Sequence, residues 1–235
     1  MHRSPRVHIF PDARTVAREL AARIGRALKE KPGLVLGLPT GRTPLLLYEE
    51  LVRLHKAGDA DFSGVTTFNL DEFLGIPSSH PSSYRSFMYR YLFDHVNVDP
   101  ARTNFLDGAA PDPVEECERY ERAIDRAGGI DLQILGVGTN GHIGFNEPAE
   151  VLHARTHRVQ LRPETRRSNA ALFDGDPGKV PAEALSMGMG TILQARQAVL
   201  IATGDTKADC VERLINGPIT TMLPASFLQL HRDAD

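Results

Sequence analysis

Short apolar runs bounded by Gly, Pro or Asp recur along the chain: LVLGL (34–38), VTTFN (65–69), IDLQILGVG (130–138) and AVLIAT (198–203). Runs this short and this continuously apolar predict strands covered on both faces, as in a parallel sheet. Between them the period of the apolar positions changes. Val16, Leu20, Ile24 and Leu28 recur every four residues behind the capping candidate Asp12. PLLLYEELVRLHKAG opens with Pro44 at a first helical position and closes on Gly58. Strand, turn and helix in repetition predict an α/β fold, a mostly parallel sheet with helices on both faces in the Rossmann-like manner. The 235 residues carry no repeat and no low-complexity linker, so a single domain over 1–235 is expected. The stretch 149–181 is richer in charge and turn residues than its neighbours. Around FDGDPGKVP it reads as an exposed excursion, either an ordinary surface loop or a lid that moves over a site.

Composition narrows the function. With 41% hydrophobic and 24% charged residues the chain has the balance of a globular protein. No run approaches the roughly 18 to 20 apolar residues of a membrane span. The N-terminal MHRSPRVHIFPDART lacks the apolar centre of a secretory signal, and a cytoplasmic location is the expectation. A net charge of -3 argues against nucleic acid as the main partner, so an anionic ligand must be met by local cations or backbone amides. Cys117 and Cys210 are far apart and lack metal spacing. His142 has no second histidine at ligand spacing, so no metal is expected, and no other cofactor is expected either.

Four stretches could carry chemistry. GLPTGRTP (37–44) turns from a strand into a helix at Thr40, Gly41, Arg42 and Thr43. A helix N-terminus at a strand's carboxyl end suits a phosphate, although a plain βα turn with Thr43 as cap explains the same residues. TFNLDEFLGI (67–76) puts Asp71 and Glu72 directly behind a strand. A carboxylate there, wedged among Leu70, Phe73 and Leu74, is partly desolvated and fit to act as a base; alternatively Asp71 caps a turn and Glu72 points into water. LGVGTNGHIGFNEP (135–148) sets His142 on a glycine-built turn, five residues before Glu147, whose carboxylate could orient the ring. ATGDTKADC (202–210) places Lys207 in the first turn of a helix, where a cation makes more sense facing an anion than the helix dipole.

In this order, LGLPTGRTPLLLYEEL, TTFNLDEFLGIPSSHPSSYRSFM, GVGTNGHIGFNEP, ALSMGMGTILQA and PASFLQLH closely resemble the motifs of the glucosamine-6-phosphate deaminase (isomerase) family. The resemblance implies a metal-free conversion of glucosamine 6-phosphate and water to fructose 6-phosphate and ammonia. It further implies that His142, supported by Glu147 and oriented by Asn140, opens the sugar ring, and that Asp71 moves the C2 proton. Thr40, Gly41, Arg42, Thr43 and Lys207 would hold the phosphate. The partner is then a small-molecule sugar phosphate, and some family members form homo-oligomers.

Three positions depart from the family pattern. Asn140 stands where many members have Asp, Arg42 replaces a glycine of the phosphate turn, and Ala171 falls where a phosphate-binding arginine is expected. Arg42 or Arg167, one helical turn before Ala171, could restore that cation. A deaminase for the galactosamine epimer, or a sugar-phosphate-sensing domain without catalysis, would share the fold. A sensing domain would not need Asp71, His142 and Glu147 together.

Overall fold

The computed structural model describes residues 5–235. Five short strands form a wholly parallel sheet in the order β4-β2-β1-β5-β8: β1 (Val35–Leu38), β2 (Thr66–Asn69), β4 (Thr103–Asn104), β5 (Leu132–Gly136) and β8 (Gln197–Ile201). The apolar runs supply β1, β2, β5 and β8, trimmed by one or two residues at their ends, except that β8 begins one residue earlier, at Gln197. Because every strand runs the same way, the segments that leave their carboxyl ends gather along one edge of the sheet, where open α/β sheets bind ligands.

Helices cover both faces. Asp12 caps α1 (Ala13–Glu30) by accepting from Thr15 N at 2.7 Å. Leu20, Ile24 and Leu28 of α1 pack with Leu47, Tyr48 and Leu51 of α2 (Leu45–Lys56) and with Met88 of α3 (Tyr84–Tyr91) against one face. The other face carries α4 (Pro113–Arg126), α6 (Met189–Leu193) and α7 (Ala208–Asn216), whose Tyr120, Ile192, Cys210 and Leu214 enclose Phe68 and Leu135. Pro44 stands one residue earlier than the sequence pattern places it, at the cap of α2 with φ -78°, and no side chain caps that helix. The plain-turn reading with Thr43 as cap is therefore not what forms.

A second sheet was not legible as such. β3 (Asp71–Phe73), β7 (Glu183–Ser186) and β6 (His157–Gln160) pair antiparallel in the order β3-β7-β6. The stretch 149–181 thus supplies β6 and then α5 (Pro163–Asn169), followed by a 3-10 turn at Ala170–Leu172. Its 174–179 portion is exposed, while Leu161, Phe173 and Val180 sink into a third apolar cluster with Phe73, Tyr84 and Phe145. This cluster ties the small sheet and α5 to the edge where the parallel strands end.

Candidate active site

A cleft of about 470 Å³ opens at that edge. The turn after β1 contributes Thr40, Gly41, Arg42 and Thr43, the step from β2 to β3 contributes Asp71, the loop after β5 contributes Asn140 and His142, and the segment after β8 contributes Lys207. Eight of the nine residues singled out in the sequence therefore face one space; Glu147 is the exception.

The His142 ring packs against Gly138, where a Cβ would overlap it, so only glycine fits beside the imidazole. Asn140 Oδ1 accepts from the backbone N–H of His142 at 3.2 Å and lies 2.7 Å from His142 Nδ1. An atom that accepts from a backbone amide is an acceptor toward the ring as well, so Nδ1 carries the proton and Nε2 is left with a free lone pair. Burial pushes the His142 pKa down to about 4, and the nearby Lys207 adds to the effect. The ring is therefore neutral at pH 7 and able to accept a proton.

Asp71 is 7% exposed, and burial, reinforced by the neighbouring Glu72, pushes its carboxyl up to about 8. Gly144, at φ +58°, passes directly above it; a Cβ there would sit 3.3 Å from Asp71 Oδ2. Glu72 does not reach water. Strand alternation turns it to the opposite side, where at 1% exposure it accepts from Phe73 N (2.9 Å), Tyr84 N (3.0 Å) and Arg85 N (3.1 Å). It thereby caps the start of α3. Its own pKa rises to about 7 by burial, against the opposing pull of those three amides.

Glu147 differs most from expectation. Its carboxylate is buried and held by the Thr165 hydroxyl, with Arg162 Nε 3.4 Å away, and it makes no hydrogen bond to His142. The chain from His142 to Glu147 turns away through Ile143 and Asn146, whose side-chain amide donates to Ile143 O and Met187 O at 2.9 and 2.8 Å. That anchoring carries the glutamate behind the cleft, toward α5.

The cationic end of the cleft holds Arg42 and Lys207. Burial, with a contribution from Arg42, lowers the Lys207 pKa, as expected for two cations converging on one spot. Arg167 instead pairs at 2.7 Å with Glu164, which lines the cleft, while Arg167 itself does not; Ala171 is exposed. Tyr84 and the α5 residues Thr165, Ser168 and Asn169 also line it, and Tyr84 Oη donates to Asn169 Oδ1 at 3.3 Å. Sequence patterning missed these four. The one available signal was Ser83, which caps α3 by accepting from Ser86 N at 3.0 Å and so makes Tyr84 the first helical residue, beside Asp71.

Among the described residues no cluster of three His, Cys, Asp or Glu side chains is arranged to hold a metal ion, and no helix is long and apolar enough to cross a membrane. The family model for glucosamine-6-phosphate isomerases/6-phosphogluconolactonase matches residues 12–234. A glucosamine-6-phosphate deaminase of Halothermothrix orenii is 48% identical, over 96% of this chain and 93% of its own. One of Hahella chejuensis is 49% identical, over 97% and 87%. The solved structure of a monomeric glucosamine-6-phosphate deaminase superposes with a TM-score of 0.90 at 43% identity, covering 94% of this chain and 92% of that one. A 6-phosphogluconolactonase from Thermotoga maritima shares the fold at a TM-score of 0.71 and 20% identity. With a family match over nearly its whole length and relatives close to half identical, the chain belongs to the glucosamine-6-phosphate isomerase/6-phosphogluconolactonase family.

Proposed function

We propose that the chain is a glucosamine-6-phosphate deaminase, converting glucosamine 6-phosphate and water to fructose 6-phosphate and ammonia, and that Asp71 and His142 carry the proton transfers. One observation supports the reading above the others: a carboxyl held high and an imidazole held low line the same cleft, which Arg42 and Lys207 also line. Paired groups with pKa values pushed apart mark acid and base roles. The phosphate dianion of a sugar fits the cationic end, where Thr40–Thr43 add backbone donors. A doubly charged substrate of this kind does not cross membranes unaided, which fits a cytoplasmic enzyme.

His142 Nε2 takes the proton of the C1 hydroxyl as the ring C1–O5 bond breaks, and the proton passes to O5, leaving the open-chain aldehyde. Asp71 then removes the C2 proton while O1 takes a proton from the substrate's ammonium, giving an enolamine with a C1–C2 double bond and a C1 hydroxyl, and Asp71 returns its proton to C1. The C2 imine that results adds water and expels ammonia. A carboxyl near neutrality suits both halves of the Asp71 step, because it accepts and gives back a proton without a large penalty either way. The substrate's own ammonium, arriving beside Asp71, favours the carboxylate form needed for the first half. Asn140 holds the imidazole in the tautomer that leaves Nε2 free.

Incubation of the purified protein with glucosamine 6-phosphate, followed by assay of both ammonia and fructose 6-phosphate, tests the proposal. Equal amounts of the two products are expected. Release of neither overturns it, and turnover of galactosamine 6-phosphate alone moves the substrate to the epimer.

A further inference from the structure

The residue that the sequence casts as the partner of His142 has a different partner. Glu147 sits at the end of the β5 loop, buried, with one carboxylate oxygen taking the Thr165 hydroxyl and the other facing Arg162 Nε at 3.4 Å. Arg162 also donates to Pro148 O, so the residue that caps α5 and a residue of its first turn both grip the same short stretch of the β5 loop. Thr165 is 5% exposed and lines the cleft. Its carbonyl accepts from Ser168 Oγ and Asn169 Nδ2, both at 2.9 Å, and Asn169 reaches Tyr84 Oη. A chain of contacts thus runs from Glu147 through Thr165 to the residues that α5 presents to the cleft.

We propose that Thr165 is a positioning residue of this site: by holding the Glu147 carboxylate, with Arg162 as second hand, it fixes α5 against the β5 loop and sets where Ser168 and Asn169 meet the substrate. Thr165 acts through α5 and takes no part in proton transfer. A hydroxyl donating to a buried carboxylate is a charge-assisted bond, and removing it leaves the carboxylate with only the half-exposed Arg162 guanidinium, 3.4 Å away. The second carboxylate oxygen is already without a hydrogen bond, which leaves Thr165 as the main anchor.

The proposal rests on the deaminase reading only for its kinetic readout, so the test pairs kinetics with amide hydrogen exchange over 163–169, which needs no turnover. Thr165→Val keeps the shape and removes the hydroxyl; Thr165→Ser keeps the hydroxyl. Thr165→Val is expected to raise KM for glucosamine 6-phosphate about tenfold, leave the pH midpoints of kcat in place, and speed exchange of the α5 amides. Thr165→Ser is expected to stay within about twofold of the parent on every measure. Unchanged exchange and KM in Thr165→Val overturn the proposal, as does a Thr165→Ser variant as impaired as Thr165→Val, since that result assigns the effect to the methyl group. Should Thr165→Val fail to fold, Arg162→Ala, at the half-exposed end of the same contact, carries the test, with faster exchange of α5 expected and unchanged exchange decisive against it. A parent protein that releases no ammonia sinks the deaminase reading, while the exchange comparison still decides the role of Thr165.

Discussion

Replacing Asp71 by Asn is expected to remove the activity and, at the same time, to make the protein more stable, by an amount that grows with pH. The side chain is buried beside Glu72, and its carboxyl is pushed from 3.8 to about 8. At 1.36 kcal/mol for each pH unit, ionising it in the folded protein at high pH costs about 6 kcal/mol more than in the unfolded chain. The cleft opens to water, which screens part of this, so about 2 kcal/mol is a working floor. The sign follows from proton counts. Between pH 4 and 8 the folded state holds a proton on Asp71 that the unfolded chain has released, so this group's contribution to stability falls as pH rises through that window. An amide is neutral throughout and escapes the penalty. Near pH 4 the unfolded carboxyl is only midway through losing its proton, and the variant and the parent differ little. By pH 9 the variant should melt higher by about 4 to 8 °C, at roughly 2 to 4 °C per kcal/mol for a chain of this size. Thermal melts from pH 4 to pH 9, paired with solvent-deuterium exchange at C2, measure both arms. Loss of a positioned base costs about 10² to 10⁴ in rate. A melting difference that is flat or shrinks with pH refutes the buried-carboxylate argument; exchange at C2 that persists at the parental rate refutes the role.

Arg42→Ala should raise KM by about tenfold, the lower end of the worth of a charge-assisted bond because Arg42 is exposed, while Arg167→Ala, whose guanidinium is already paired with Glu164, should leave KM within about twofold; the reverse order of the two effects moves the phosphate cation to α5. Asn140→Asp sets a carboxylate 2.7 Å from His142 Nδ1 and should raise the imidazole pKa from about 4 by about 1 to 3 pH units, shifting the acid limb of kcat/KM upward with it; a His142 proton resonance titrating at the parental midpoint counts against the contact. Gly138→Ala drives a methyl into the space of the His142 ring and should cut kcat by roughly a hundredfold without weakening competitive inhibition by inorganic phosphate; unchanged kcat would mean the ring is free to move aside.

Much of the large sheet is legible because buried parallel strands cannot hide: LVLGL, IDLQILGVG and AVLIAT must be apolar on both faces, and each of them ends at the site edge. The second sheet is written in a weaker hand. HRVQ is an edge strand with half-exposed and exposed positions alternating, EALS is four residues long, and DEF spends two of its three positions on carboxylates. None has a run that competes with the noise of a loop. Their pairing is set by long-range contact, Asp71 facing Ser186 across more than a hundred residues.

The Asp71–Glu72 doublet shows most plainly which part of a site the sequence conceals. Side by side in the chain, the two carboxylates have the same chemistry, and the segment gives equal grounds for reading either as a base, a turn cap or a solvated charge. Placing them in a strand separates them, because consecutive side chains leave a strand on opposite faces. One face looks into the cleft and gives Asp71 a desolvated pocket under Gly144. The other meets the N-terminus of α3, and there three amides satisfy Glu72. The same alternation makes the pair cooperate, since Glu72 locks α3 in register and brings Tyr84 to the rim of the cleft that Asp71 serves, while its charge helps hold the Asp71 carboxyl near neutrality. His142 and Glu147 show the converse: five residues apart on a turn, they read as a pair, yet the anchoring of Asn146 between them sends the histidine into the cleft and the glutamate to α5. Which neighbours in sequence become partners is decided by the backbone that passes between them, and at this site that backbone is fixed by residues such as Asn146, Gly138 and Gly144, whose side chains, or lack of them, take no part in the chemistry.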